Sequence, residues 1–199
     1  MKHLLITGFD PFGGEAVNPA WEAVSRLPDA VGPFRLTKLQ IPTVFGSAAK
    51  TVLAAARSDP PDVILCVGLA AGRDAVTPER IAINICDARI KETRDNAGHL
   101  AQGECCVPGG PAAYFSTVPV EQMVQSIRDA GLRAAVSNTA GTFVCNDTLY
   151  RLLHEYAQSD VRVGFIHVPR LPRQGGDDGP CMSLEDIIRA LSAAITSIG

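Results

Sequence analysis

Strand-like and helical stretches alternate along this chain from one end to the other, and that alternation more than anything else confines it to a layered α/β architecture. Apolar runs of strand length read around Leu4 to Thr7, Leu36 to Ile41, Val63 to Val67, Ile81 to Ile85, Ala134 to Ser137 and Val161 to Val168. Between them, apolar spacing predicts helices after Asn18-Pro19, from about Ser47 to Arg57, from Val120 to Ala130 with a stop at Gly131, from Asn146 to Gln158, and from Ser183 to Ile198. Asn18 is a good N-cap and Pro19 a good first helical residue. Strands joined through helices imply a mainly parallel sheet. From Asp87 to Pro119 the pattern gives way to Gly, Pro and short polar residues, and irregular stretches of that length commonly serve function or subunit contact.

A length of 199 residues suits one domain, and 46% hydrophobic composition is enough to fill its core. The formal charge of -3 and the absence of a basic cluster interleaved with aromatics argue against nucleic acid as a partner. The apolar run at the N-terminus meets Asp10 and Pro11 too early for a signal peptide, and no stretch reaches membrane-spanning length, so the chain reads as cytoplasmic. In that compartment the six cysteines read as free thiols. Cys66 and Cys86 fall in strand-like runs and read as core. Cys105 and Cys106 lack the spacing of a zinc pair, and His154-Glu155, with no second histidine, reads as a solvated helix face.

In open parallel sheets ligands gather beyond the carboxyl ends of strands, and four such loops are unusual here. Gly8-Phe9-Asp10-Pro11-Phe12-Gly13-Gly14 lacks the lysine and Ser/Thr of a phosphate loop; its phenylalanines read either as apolar walls for a small ligand or as a turn packed on the core. Thr77-Pro78-Glu79-Arg80 offers a carboxylate that either pairs with Arg80 or orients a histidine. Asp87-Ala88-Arg89-Ile90 reads most plainly as an ion pair, with polarisation of a carbonyl by Arg89 as the functional alternative. Gly164-Phe165-Ile166-His167-Val168-Pro169 ends an apolar strand with a histidine. The run Ser137-Asn138-Thr139-Ala140-Gly141-Thr142-Phe143-Val144-Cys145-Asn146 delivers a thiol to the start of a helix, where unpaired N–H groups and partial positive charge favour a thiolate and an adjacent oxyanion. Cys145, His167 and Glu79 together supply a nucleophile, a base and an orienting acid.

The runs Thr7-Gly8-Phe9-Asp10-Pro11-Phe12-Gly13-Gly14-Glu15 with Asn18-Pro19, Thr77-Pro78-Glu79-Arg80-Ile81-Ala82-Ile83-Asn84, Ser137 to Asn146 and Gly164 to Pro169, with Gly110-Pro111-Ala112-Ala113-Tyr114-Phe115-Ser116-Thr117 and Met182-Ser183-Leu184-Glu185, resemble the pyroglutamyl peptidase I (pyrrolidone-carboxylate peptidase) family of cysteine peptidases. The resemblance runs in order along essentially the whole chain. It implies a single domain over residues 1–199, a three-layer α/β/α sandwich around a mainly parallel, twisted sheet, and hydrolysis after an N-terminal pyroglutamate through a triad of Glu79, Cys145 and His167. It implies no cofactor and no metal, pyroglutamylated peptides as substrates, a cytosolic location and a homotetramer. The family's apolar substrate pocket maps onto Phe9, Phe12, Thr43, Ile90, Phe143 and Val144, while Asn18 is a candidate for the lactam and Arg89 for the oxyanion.

The chain departs from the family at three places. The run from Asp87 to Asn96 is about three residues longer than the family's Asp-Ala-Arg-Ile-Pro-Asp-Asn, Leu69 and Ala71 replace a glutamine and a glycine, and Arg170 stands where an aromatic residue is usual. Two other classes are open: a non-catalytic ligand-binding relative, and a thiol redox protein pairing Cys145 with a resolving cysteine.

Overall fold

A computed structural model describes residues 1–89, 92–172 and 179–199. One six-stranded sheet carries the fold. Its order is β2 (Ala30–Val31), β3 (Phe34–Ile41), β1 (Lys2–Phe9), β4 (Val63–Leu69), β10 (Arg162–Val168) and β5 (Thr77–Pro78). The four long strands β3, β1, β4 and β10 are mutually parallel, and the two-residue strands β2 and β5 run antiparallel along the edges.

Both faces of the central strands are buried, which is why their sequences read as continuous apolar runs rather than alternating ones. Leu4, Ile6, Val63, Leu65, Ile166 and Val168 pack against α1 (Pro19–Ser25), α3 (Val120–Asp129) and α5 (Leu184–Ile198). Leu5, Ile64, Cys66, Val163 and Phe165 face the other way, toward α2 (Ser47–Ser58) and α4 (Val144–Glu155). The result is the three-layer sandwich that the alternation and the resemblance imply. In α5, Ile187, Leu191, Ala194, Ile195 and Ile198 repeat at three- and four-residue intervals and form its buried stripe. Asn18 caps α1 by accepting the Ala20 N–H at 3.0 Å, with Pro19 at the first turn. That helix lies so close to β1 that a Cβ on Gly8 would stand 2.7 Å from the Trp21 backbone.

Three sequence-based expectations shift. The run from Ala134 to Ser137, expected as a strand, makes only isolated parallel bridges, Val76 with Ala134 and Glu79 with Ser137. The hydrogen bonds explain it: Val76 N–H reaches Arg133 O, Ala135 N–H reaches Val76 O, Ser137 N–H reaches Pro78 O and Arg80 N–H reaches Ser137 O. The rung between them requires an N–H that Pro78 does not have, so the ladder breaks there. The strand expected over Ile81 to Ile85 is shorter, β6 (Ile81–Ile83), and pairs with β9 (Ala113–Phe115) in a separate two-stranded sheet. The expected helix over Asn146 to Gln158 runs two residues earlier and stops three earlier, which brings Cys145 into its first turn.

Within the stretch expected to be irregular, β7 (Cys86–Asp87) and β8 (Gln102–Glu104) form a short antiparallel pair. His154, expected on a solvated face, stacks on Tyr150 and hydrogen-bonds the Tyr114 hydroxyl at 2.9 Å, while Glu155 is exposed.

Candidate active site

Because β1, β4 and β10 are parallel, Phe9, Leu69 and Val168 end them on the same side of the sheet, and a cleft of about 610 Å³ opens there. His167 is the penultimate residue of β10, directly across the ladder from Gly68 of β4. Gly68 matters because it has no side chain. A Cβ there would lie 3.0 Å from the Cys145 Sγ and 2.8 Å from the Phe165 ring, so the sulfur rests over the backbone position beside His167.

Glu79, between β5 and β6, is fully buried and points inward. Its Oε1 lies 2.7 Å from His167 Nδ1 and also accepts a hydrogen bond from Arg73 Nη1 at 2.7 Å, while Oε2 has no hydrogen-bond partner among the described residues. Arg80 takes no part: it pairs with Glu121 and Asn138 outside. Arg73 was not assigned a role by sequence reasoning, yet it bonds Thr77 Oγ1 at 2.5 Å and Thr139 O at 3.2 Å besides Glu79, so one guanidinium ties together three segments around the acid. The signal available was Gly72, whose φ of 90° lets the turn after β4 fold back.

Cys145 is the second residue of α4. The helix begins on Phe143, which offers no side-chain oxygen to cap its first-turn N–H groups. Burial and the negative charge of Glu79 push the Cys145 thiol up to about 12, opposed by Arg73 and by the residue's own backbone N–H. The helix start is fixed from behind. Asn146 accepts the Ile83 N–H at 2.9 Å and donates to Ile83 O and Ile85 O at 2.8 and 2.9 Å, and Asp147 accepts the Gly46 N–H at 2.7 Å.

Of the residues singled out for substrate contact, Phe9, Phe12, Asn18, Thr43 and Phe143 line the cleft together with Cys145 and His167. Phe12 and Phe143 pack with ring centroids 6.2 Å apart. The Asn18 amide is engaged at both ends, capping α1 through Oδ1 and donating from Nδ2 to Asp10 O at 3.0 Å. Two of the others, Val144 and Arg89, do not line the cleft. Val144 is wholly buried among core residues, because one step along the helix from Phe143 turns its side chain away. Arg89 is not in the lining; its guanidinium pairs with Asp87, whose own residue does line the cleft. Ile90 lies outside the described residues. The longer segment that follows it returns to the site: Thr93 lines the cleft, and Asn96 donates to Asp10 Oδ1 and Pro11 O at 3.1 and 2.9 Å. Leu69, Ala71 and Arg170, the substituted positions among the departures, all line it as well.

A thiol at a helix start, a buried imidazole–carboxylate pair and an apolar cleft at the carboxyl edge of a parallel sheet define an α/β protein equipped for thiol chemistry. Comparison with known proteins narrows the class. A family model described as pyroglutamyl peptidase matches residues 2–199. Pyrrolidone-carboxylate peptidase of Levilactobacillus brevis is 52% identical over 199 residues, covering 98% of this chain and 96% of that protein. The crystal structure of pyroglutamyl peptidase I from Bacillus amyloliquefaciens superposes with a TM-score of 0.95 at 46% identity, covering 100% of this chain and 97% of the other. Pyrrolidone carboxyl peptidase from Thermococcus litoralis does so with a TM-score of 0.92 at 32% identity, covering 100% and 93%. The chain belongs to the pyroglutamyl peptidase family. Among the described residues no helix is long and apolar enough to cross a membrane.

Proposed function

We propose that this protein is a cysteine peptidase that hydrolyses the bond after an N-terminal pyroglutamate, with Cys145 as nucleophile, His167 as general base and then acid, and Glu79 as the group that orients His167. The observation that carries this reading is the buried 2.7 Å contact of His167 Nδ1 with Glu79 Oε1, with His167 directly across the ladder from the glycine over which the Cys145 sulfur sits.

The sulfur starts as the thiol, since burial and Glu79 both disfavour the thiolate. His167 takes that proton as the sulfur attacks the carbonyl carbon, and the Glu79 carboxylate stabilises the imidazolium that forms. The oxyanion lies against first-turn N–H groups of α4, including that of Cys145. Arg89 pairs with Asp87 and does not line the cleft, so the backbone N–H groups are the donors favoured for this step. The imidazolium then protonates the leaving amine, and water, deprotonated by His167, hydrolyses the thioester to free pyroglutamate and regenerate the thiol.

Selectivity follows from the walls. Pyroglutamate is a neutral lactam with no free amine, and Phe9, Phe12, Ala140 and Phe143 present an apolar surface to it. An unpaired ammonium or carboxylate, as in N-terminal glutamate, costs several kcal/mol in such surroundings. The family resemblance also supports a cytosolic, homotetrameric enzyme acting on pyroglutamylated peptides, a state to be read by sedimentation.

The experiment is release of a fluorophore from a pyroglutamyl amide, beside the matching prolyl and glutamyl amides. The expected result is cleavage of the pyroglutamyl compound alone, lost in Cys145→Ala with Tm unchanged. No cleavage by folded, reduced wild type sinks the proposal and leaves a binding protein in its place.

A further inference from the structure

Among the described residues outside the cleft, Cys86, Cys106 and Asp147 form a buried cluster in which one donor atom from each lies within 4.8 Å of the others. The two sulfurs are 3.4 Å apart. The β7–β8 pairing brings them near: Cys86 pairs with Glu104, and the chain just past β8 turns Cys106 into the same buried cluster. The Cys86 S–H donates to Asp147 Oδ1 at 3.3 Å. That carboxylate is already occupied, Oδ1 by Arg151 Nε at 2.6 Å and Oδ2 by the Gly46 N–H. A divalent cation would share its oxygen with a guanidinium and find three donors instead of the four of a structural zinc site. Two thiols in contact beside a carboxylate that is already engaged favour sulfur–sulfur chemistry.

We propose that Cys86 and Cys106 form a reversible intramolecular disulfide that staples the β7–β8 hairpin behind the cleft. The oxidant is a small disulfide of the glutathione class. One cysteine thiolate attacks it, forming a mixed disulfide and expelling one glutathione thiolate; the second cysteine thiolate attacks the protein sulfur of that mixed disulfide and expels the other. The oxidant's S–S bond is replaced by the protein's, and the two cysteine protons end on two glutathione thiols.

A bond of ~2 Å asks for little more than an ångström of side-chain movement. Reaction is slow, because both thiols are buried and Cys86 is held protonated by its contact with Cys106, by burial and by Asp147. The staple is thus a durable lock, set when the hairpin opens. It acts on the cleft wall through the next residue: Asp87 N–H donates to Thr142 O at 2.8 Å, and Asp87 O accepts from Thr142 Oγ1 at 2.5 Å, both residues lining the cleft.

The test is oxidation of the whole protein with excess oxidised glutathione, followed by peptide mass mapping and thermal unfolding. The expected result is a link between the Cys86 and Cys106 peptides, reversed by dithiothreitol, with Tm raised by roughly 5–10 °C for closure of a loop of about twenty residues. Cys86→Ser, whose hydroxyl keeps the bond to Asp147, should fold yet show neither link nor shift. Links made only through Cys105, or no link when oxidation is carried out under conditions that open the hairpin, overturn the proposal. A zinc-dependent rise in Tm of the reduced protein, lost in Cys86→Ser, overturns it too and assigns the cluster to a metal. None of these readouts depends on peptide cleavage, so their failure is separable from failure of the peptidase reading.

Discussion

Arg73 shares one carboxylate oxygen with the histidine that the proposed mechanism uses, so its removal strikes both stability and chemistry. Arg73→Ala leaves Glu79 buried without its guanidinium, a loss of about 3 kcal/mol by analogy with broken buried pairs. In the same variant kcat should fall on the order of tenfold to a hundredfold as the imidazole loses its fixed acid, whereas Arg73→Lys, which keeps charge but not the fork, should recover part of each. Gly68→Ala tests the same constellation from below. Its Cβ would press on the Phe165 ring and the Cys145 sulfur, so urea unfolding should show a loss of roughly 1–3 kcal/mol while kcat/KM falls about a hundredfold. Retained activity in Gly68→Ala would mean that the sulfur does not need its seat over β4. Cys145, His167 and Glu79 were legible in the sequence because each stands where a regular element begins or ends, so its neighbours announce it. Arg73 was not, because its reach depends on the path of a turn. Val144, which the family resemblance maps to the pocket, has its side chain buried in the core, one helical step from the cleft-lining Phe143.

At the scale of elements, α4 is held less by its own cap than by side chains that grip the neighbouring loop. Asn146 satisfies three backbone groups of β6 and the residues just after it, and no water-exposed substitute exists for a fully buried amide. Asn146→Ala should cost about 2–4 kcal/mol in denaturant unfolding by leaving those groups unpaired. Because the same bonds aim the helix at the cleft, the surviving folded protein should also show reduced kcat, and unchanged kcat would detach the aim of α4 from Asn146. The long parallel strands and the amphipathic helices could be read from periodicity alone, since both faces of one and one stripe of the other are apolar. The edge at Ala134 to Ser137 could not, because a single missing N–H on Pro78, more than fifty residues away in sequence, decides whether that run registers as a strand.

For the whole molecule, the buried thiols set an alkaline limit. Cys66 and Cys145 are each pushed up to about 12, Cys66 by burial above all. In the unfolded chain both ionise near ~8.5, so above that pH the unfolded state binds fewer protons than the folded one, and stability falls as pH rises toward 12. Below pH 8 the two contribute no slope. Thermal unfolding from pH 8 to 11 should show a steep decline in Tm for wild type and a shallower one for Cys66→Ala, whatever the variant's starting stability; equal slopes would refute the burial argument. The order of the sheet has another consequence. β10, the last strand in chain order, is inserted between β4 and β5, which were made some ninety residues earlier, and it carries His167. The groups assigned to cleavage are therefore separated in the chain until its last fifth, and no N-terminal portion that lacks β10 contains the proposed set.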